Sequence, residues 1–164
     1  MYYFESEEKQ NELFNEMESW LETPFKHRCG VKHLGCDCIH FVAGVLTALG
    51  LCDIKKIKVP NYPKDWHLHN TREILAEAIE KEFNVLKIDL IGLETEENLL
   101  KNGDIVLAHY GQASSHSGIY FNGYIYQALN DIGVKKMNFN DPKLKKGLKF
   151  CYRIISLKNK IGEN

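Results

Sequence analysis

The order of helical and strand-like patterns along the 164 residues predicts an α+β fold. Apolar residues recur at helical spacing in the first half of the chain, within residues 8–22, 38–49 and 71–83. Short segments rich in β-forming residues dominate the second half, where Asn122-Gly123 is a strong hairpin signal. Helices followed by an antiparallel sheet argue against alternating βαβ units. The length suits one domain over residues 1–164.

The first predicted helix is amphipathic and ends before Pro24, because the residue preceding a proline avoids the α region. Residues 24–37 are rich in Gly, His and Cys and are interpreted as a loop. Asp37 is a plausible N-cap for the second helix, and Gly50 stands where a C-terminal stop is expected. This second helix is apolar around most of its circumference, so we expect it to be buried and central.

The remaining elements follow from turn signals and residue types. Residues 53–70 contain two prolines and little periodicity, which predicts a surface loop before the third helix. Asn102-Gly103 predicts a turn, and the basic run from Lys143 to Lys149 is interpreted as a solvated loop. The predicted strands are residues 104–109, 117–121, 124–129 and 150–155.

Composition and charge exclude several classes of protein. Apolar residues make up 44% and charged residues 26%, the balance of a globular protein, and the net charge is -1. Without a basic excess, nucleic acid is a poor default partner. No apolar stretch reaches the roughly 18 residues of a membrane span, so we expect no membrane insertion. The N-terminus lacks the features of a secretory signal, which predicts synthesis in the cytoplasm.

Cys38 is the first candidate for chemistry. The five cysteines are an odd number without a secretory signal, which favours reduced thiols over a disulfide framework. Cys38 stands at the first turn of the predicted central helix, where partial positive charge and unpaired N–H groups favour a thiolate. The same N–H groups are suited to hold an oxyanion during acyl transfer. An inert buried cysteine is an almost equally good interpretation of this position alone.

His116 and Gln127 are candidate partners of Cys38. His116 stands at the start of a predicted strand and is followed by small residues, which leave room beside its ring. Histidine is the usual base for a cysteine nucleophile, because its pKa lies near neutrality. Gln127 lies on the next strand of the same hairpin, where it could face His116 and accept its second N–H.

Together these motifs resemble the NlpC/P60 peptidases. The chain contains a Gly-x-Asp-Cys block at Gly35 to Cys38, a Gly-Asp-apolar strand from Gly103, and His-x-Gly-Ile-Tyr at His116 to Tyr120. A hairpin turn and a polar residue, Gln127, follow in the expected order. Residues 20–42 and 60–66 look especially like the subset of the family that is encoded beside phage tail genes.

The resemblance implies a papain-like fold, in which N-terminal helices, including the helix with the nucleophile, pack on an antiparallel sheet. It implies a thiol hydrolase that cleaves amide bonds in peptidoglycan stem peptides, often beside D-γ-glutamyl linkages, with Cys38 as nucleophile, His116 as base and Gln127 as third residue. No cofactor or metal is implied. Phage tail proteins are possible partners, and the protein could be virion-associated or released by lysis. Asp37, His27, Trp66 and Tyr62 are candidate substrate-binding residues.

The chain departs from the family pattern in three places, the first of which is Gln127: it cannot carry charge, so it could orient His116 but not stabilise an imidazolium as a carboxylate would. Ile39-His40 replaces the usual Ser-Gly after the cysteine, which makes that wall of the cleft bulkier. Phe25 stands near where many members have a tyrosine that supports the oxyanion, and a phenylalanine offers no hydroxyl. The departures at Ile39, His40 and Phe25 keep open the first of two alternative functions, and the second follows because a fold does not fix the substrate. The protein could be a non-catalytic component that binds cell wall or phage tail, or an amidase or acyltransferase with a substrate outside the cell wall.

The cluster of cysteines and histidines in residues 27–40 permits a metal site or a redox switch. A structural zinc site could use Cys and His ligands from this segment, although the Cys-x-Cys spacing differs from a zinc knuckle. The histidines nearest to this segment along the chain are His67 and His69. Cys36 and Cys38 could instead form a strained disulfide under oxidation and so switch activity off. The residues of the segment that could bind zinc are His27, Cys29, His33, Cys36, Cys38 and His40.

Overall fold

The computed structural model describes residues 1–55, 74–91, 99–109 and 114–158. Four helices and eight strands are present in these ranges, and the α+β prediction is confirmed. The helices are α1 (Glu7–Trp20), α2 (Cys38–Ala48), α3 (Ile74–Glu82) and α4 (Pro142–Gly147). The strands are β1 (Gly30–Val31), β2 (Gly35–Cys36), β3 (Phe83–Asp89), β4 (Ile105–His109), β5 (Ser114–Phe121), β6 (Tyr124–Leu129), β7 (Gly133–Asn138) and β8 (Leu148–Leu157).

The first two helices form where their local signals predict them. Ser6 caps α1, since its side chain accepts the N–H of Lys9, and the face of α1 that includes Trp20 is buried. Asp37 caps α2, and Gly50 follows its C-terminal end with a φ of 72°. That left-handed conformation costs glycine little, so it is a natural helix stop. As expected for the central helix, α2 buries most of its side chains.

The strands form a six-stranded sheet in the order β3-β8-β4-β5-β6-β7, in which all neighbouring strands are antiparallel. Alternate residues of a strand point to opposite faces, so the sheet carries a core on each side. Ile119 and Tyr126 join the core formed with α1 and α2. Tyr120 and Ile125 join a second core that includes Leu144 of α4. The nucleophile helix therefore packs on the sheet, as the resemblance implies.

Besides the short β1–β2 pair in the predicted loop of residues 24–37, three elements differ from the sequence-based prediction. Strands β3 and β7 are absent from that prediction, and both lie at sheet edges, where the alternation of apolar and polar residues is weak. The basic run from Lys143 to Lys149 is α4 and the start of β8, not a loop. Asp141 caps α4 by accepting the N–H groups of Lys143 and Leu144. The loop predicted over 53–70 lies mostly outside the described residues.

The turn predicted at Asn102-Gly103 is confirmed and leads into a buried ion pair. Gly103 has a φ of 91° and lies so close to the Phe4 ring that a Cβ at this position would clash with it. Asp104 is fully buried, and its two oxygens accept Nε and a terminal nitrogen of Arg153 at 2.9 and 2.7 Å. The turn thereby anchors the start of β4 to β8. No helix in the described part of the chain is long and apolar enough to span a membrane.

Candidate active site

Asp37 organises the start of α2. Its Oδ1 accepts the backbone N–H of His40 at 2.9 Å and lies 2.7 Å from His40 Nδ1, which donates to it. Its Oδ2 accepts the backbone N–H of Arg28 at 2.7 Å. Burial acts to raise the pKa of Asp37, but these hydrogen bonds outweigh it and the pKa is lowered. A buried carboxylate therefore fixes the first turn of α2, on which Cys38 stands.

The segment before α2 is held from both sides by backbone hydrogen bonds. The N–H of Cys36 donates to Pro24 at 3.0 Å, and the carbonyl of Cys36 accepts from Lys26 at 3.0 Å. The N–H of Asp37 donates to Cys29 at 3.2 Å. The sequence predicts a Gly-, His- and Cys-rich loop here. In the structure, backbone hydrogen bonds hold this segment in place, and it includes the β1–β2 pair. Such a segment can hold the nucleophile helix in one position.

The surroundings of Cys38 favour the neutral form of its thiol. Cys38 is a partly exposed residue, yet the atoms packed around its sulfur desolvate it. This burial, followed by the charge of Asp37, raises its pKa to about 12, although hydrogen bonds from Ser117 and the backbone of Ile39 act in the opposite direction. Desolvation and the adjacent carboxylate therefore act against the thiolate that the helix N-terminus is expected to favour, and that expectation stays a prediction.

Strand β5, which carries His116, contacts the start of α2 through Ser117. Ser117, which is 2% exposed, donates its hydroxyl hydrogen to the carbonyl oxygen of Cys38 at 3.0 Å. This contact joins residues that are 79 positions apart in the chain. Because His116 immediately precedes Ser117 on β5, the contact places the strand with the candidate base against the helix with the candidate nucleophile.

Gln127 of β6 contacts the ring of His116. The distance between Gln127 Oε1 and His116 Nε2 is 2.6 Å, and Gln127 is 1% exposed. Gly118 makes this approach possible, since a Cβ there would lie 2.7 Å from the carbonyl oxygen of Tyr126 and 3.2 Å from Gln127 Cβ. Burial lowers the pKa of His116, and the hydrogen bond to Gln127 only partly opposes this shift. The imidazole is therefore neutral at pH 7.

The structure describes some, but not all, of the other residues that the sequence predicts for the site. His27 Nδ1 lies 3.9 Å from Asp37 Oδ2, and the His27 side chain is 29% exposed. Asp37 itself is 3% exposed and serves the helix cap, and its predicted contact with substrate stays a prediction. Tyr62 and Trp66 lie outside the described residues. Phe25 forms a β-bridge with Cys36 and so lies beside the segment that leads into α2.

The zinc and disulfide interpretations of the cysteine-rich segment find little support. Among the described residues, which include all of 27–40 but not His67 or His69, no three His, Cys, Asp or Glu side chains form a group that could hold a metal ion. Cys36 is fully buried, and burial raises the pKa of its thiol to about 12. A buried neutral thiol is a poor partner for oxidation with Cys38.

Three contributors to the site are not assigned by sequence reasoning. Ser117 is the variable residue of the His-x-Gly motif, and its hydroxyl is the available signal for a polar contact. In the sequence His40 stands out only as a departure from the family and as a possible metal ligand, whereas it pairs with the Asp37 cap. Met137 carries no local signal at all, yet its sulfur accepts a hydrogen bond from Gln127. These contacts depend on how distant segments pack.

Comparison with known proteins identifies the fold. No protein-family model matches the sequence, and a comparison with curated proteins finds no match. Solved structures do match. One is a protein of Staphylococcus aureus subsp. aureus Mu50 described as similar to lipoprotein, NLP/P60 family. It is 16% identical, with a TM-score of 0.59 over 94% of this chain and 44% of that chain.

Two further structures extend the comparison. An NlpC/P60 family protein from Bacillus cereus ATCC 10987 is 18% identical, with a TM-score of 0.55 over 89% of this chain and 40% of that chain. The NlpC/p60 domain of the peptidoglycan hydrolase SagA is 14% identical, with a TM-score of 0.53 over 87% of this chain and 96% of that chain. The chain spans less than half the length of the first two.

A helix with a cysteine at its start, packed on an antiparallel sheet, defines the class as an α+β, papain-like fold. Within that class, the three matches show that this chain has the NlpC/P60 fold.

Proposed function

We propose that this protein is an NlpC/P60 cysteine hydrolase that cleaves amide bonds in peptidoglycan stem peptides. The arrangement of Cys38, His116 and Gln127 carries the proposal. Cys38 is the first residue of the buried helix α2. Ser117, which follows His116 on β5, donates a hydrogen bond to the carbonyl oxygen of Cys38, and the side chain of Gln127 hydrogen-bonds the His116 ring. The similarity to a domain described as part of a peptidoglycan hydrolase supports the choice of substrate.

The proposed mechanism begins from a neutral pair, because burial opposes charge on both groups. His116 accepts the Cys38 proton as the sulfur attacks the amide carbonyl carbon, and N–H groups at the start of α2 stabilise the oxyanion. The imidazolium then gives its proton to the leaving amine, and a thioester remains on Cys38. Water, deprotonated by His116, cleaves the thioester and releases a carboxylic acid and the thiol.

The bond and the origin are finer parts of this proposal. We propose cleavage beside a D-γ-glutamyl linkage, which the motif resemblance implies. The similarity of residues 20–42 and 60–66 to phage-associated members supports an origin in a phage or prophage, and this origin stays a prediction.

The test is digestion of purified peptidoglycan, with the released fragments identified by mass. We expect fragments from wild-type protein whose new termini lie at one stem-peptide amide bond. Cys38→Ala should release none. Cys52→Ala is the matched control, since Cys52 lies beyond the other end of α2 and contacts Thr47. The proposal fails if Cys38→Ala releases the same fragments at the wild-type rate.

The departures from the family pattern at Ile39, His40 and Phe25 favour a second candidate, a component that binds cell wall without turnover. In that case, wild-type protein would sediment with insoluble peptidoglycan and release no fragments.

An apolar cavity favours a third candidate function, that of an acyltransferase or amidase whose substrate carries an apolar acyl group. Its lining includes Ile39 and Ser117, the residues that follow Cys38 and His116 in the chain. Absence of fragments together with acyl transfer from a lipid donor would favour this candidate.

The pH dependence of kcat/KM follows from the lowered pKa of His116. Only the neutral imidazole can accept the Cys38 proton, so activity is full above the pKa of His116 and falls as pH drops through it. Because burial lowers that pKa, we expect the acidic limb below the ordinary histidine value of about 6.5, and a plateau through pH 7–8. Initial rates on a soluble stem peptide from pH 4.5 to 9 would measure the limb.

A matched variant tests the cause of this limb. Gln127→Glu places a carboxylate beside His116, stabilises the imidazolium and should move the limb to higher pH. Labelling of Cys38 with iodoacetamide at pH 6 should be slow in the wild type, since the resting thiol is neutral. Rapid labelling at pH 6 together with activity that falls again at the basic end of the range, as an imidazolium loses its proton, would show a thiolate–imidazolium pair and contradict the neutral-pair mechanism.

A further inference from the structure

We propose that Met137 is a positioning residue, whose thioether sets the orientation of the Gln127 amide and thereby the tautomer of His116. This inference rests on the proposed function, because the tautomer matters only if His116 is the base. Met137 belongs to β7, and its sulfur lies 3.0 Å from Gln127 Nε2. Gln127 is thus held at both ends of its amide, by His116 and by Met137.

Register explains how Met137 reaches Gln127. In the β6–β7 ladder, Met137 pairs with Ile125, and Gln127 pairs with Lys135. Met137 is therefore a diagonal neighbour of Gln127 on the same face, a position from which long side chains make contact. Lys135, the direct partner, bonds Glu22 instead. The sulfur, rather than the lysine, is the group that meets the Gln127 amide.

The chemistry of the two groups selects one orientation of the amide. An amide has an accepting oxygen and a donating NH₂ group, whereas a thioether sulfur can only accept. The NH₂ group must therefore face Met137, which leaves the oxygen facing His116. The opposite orientation would press the carbonyl oxygen against the sulfur lone pairs. Gln127 is 1% exposed, so water has little access to replace the lost bond.

The orientation of Gln127 then determines which ring nitrogen of His116 carries hydrogen. An oxygen 2.6 Å from Nε2 requires a hydrogen on Nε2. In the neutral ring, the lone pair therefore stands on Nδ1, and Nδ1 is the atom that accepts the Cys38 proton. A carboxylate at position 127 would not need Met137 to select its orientation, because both carboxylate oxygens accept hydrogen bonds. The amide makes the tautomer dependent on Met137.

Nuclear magnetic resonance of the histidine rings reads the tautomer without any substrate. With ¹⁵N-labelled histidine and the His116 signal assigned by its loss in His116→Asn, we expect the Nε2–H form in wild-type protein. Met137→Leu keeps the volume but removes the acceptor, so a mixture with the Nδ1–H form should appear. We expect kcat/KM to fall about 2- to 10-fold, the range of one hydrogen bond. Met17→Leu, at a buried methionine of the α1 core, is the matched control and should leave tautomer and kcat/KM unchanged.

A double variant separates positioning from packing. In Gln127→Glu, adding Met137→Leu should change neither the tautomer nor kcat/KM, since no amide remains to be oriented. If Met137→Leu keeps the pure Nε2–H form, or if its effect persists in the Gln127→Glu background, the inference is wrong. The proposed function fails separately, through full hydrolysis by Cys38→Ala, and that result would leave the tautomer measurement unaffected.

Discussion

Cys38→Ala and His116→Ala are each expected to lower kcat for stem-peptide hydrolysis by about 10⁴-fold or more, and the double variant by no more than the worse single variant. Neither group acts without the other in the proposed mechanism. The thiol has a pKa of about 12 and needs a base, and in this mechanism the imidazole acts on that thiol. Groups that act as one unit therefore lose the same step when either is removed.

Steady-state rates on a defined soluble stem peptide would give the three values, with Cys52→Ala as the control for loss of a thiol. Circular dichroism should show that each variant keeps the fold, because neither change removes the Asp37 cap or the backbone carbonyl of Cys38, which accepts the Ser117 hydroxyl. Fold-losses that multiply in the double variant would show that the two residues contribute independently, and the dyad would then be wrong.

Asp104→Ala should destabilise the protein by about 3–5 kcal/mol, the usual cost of removing one partner of a buried ion pair. Asp104 is fully buried and accepts two nitrogens of Arg153, whose side chain is 12% exposed. It also accepts the backbone N–H of Lys101 at 2.8 Å. The substitution leaves the guanidinium without its carboxylate and the turn at Gly103 without its tie to β8.

Urea unfolding followed by tryptophan fluorescence would measure this loss as a change in midpoint with a similar slope. The double variant Asp104→Ala, Arg153→Met is the control, because it removes the unpaired charge and fills its place with an apolar chain. We expect it to recover a large part of the stability. If the single and double variants unfold at the same urea concentration, the cost lies in the turn and not in the stranded charge of Arg153.

Local signals account for the elements that can be predicted well from the sequence. The boundaries of α2 follow from Asp37 and Gly50, because a cap and a stop act on the residues next to them. The β5–β6 hairpin follows from Asn122-Gly123 for the same reason. The edge strands β3 and β7 escape prediction, since an edge strand owes its conformation to one neighbour that is distant in sequence. Helix α4 also escapes prediction, because its lysines make the segment look like a solvated loop.

The candidate site likewise has features that local sequence signals predict and features that only the tertiary structure determines. The fold class, the helix that presents Cys38, and the candidates His116 and Gln127 can all be obtained from the sequence alone, because motif residues stand at fixed offsets from caps and turns. Three features emerge only from long-range packing: Ser117 ties β5 to Cys38, Met137 holds the Gln127 amide, and burial keeps Cys38 and His116 neutral. Desolvation and hydrogen bonding depend on which distant segments surround a group, and no local pattern encodes those neighbours.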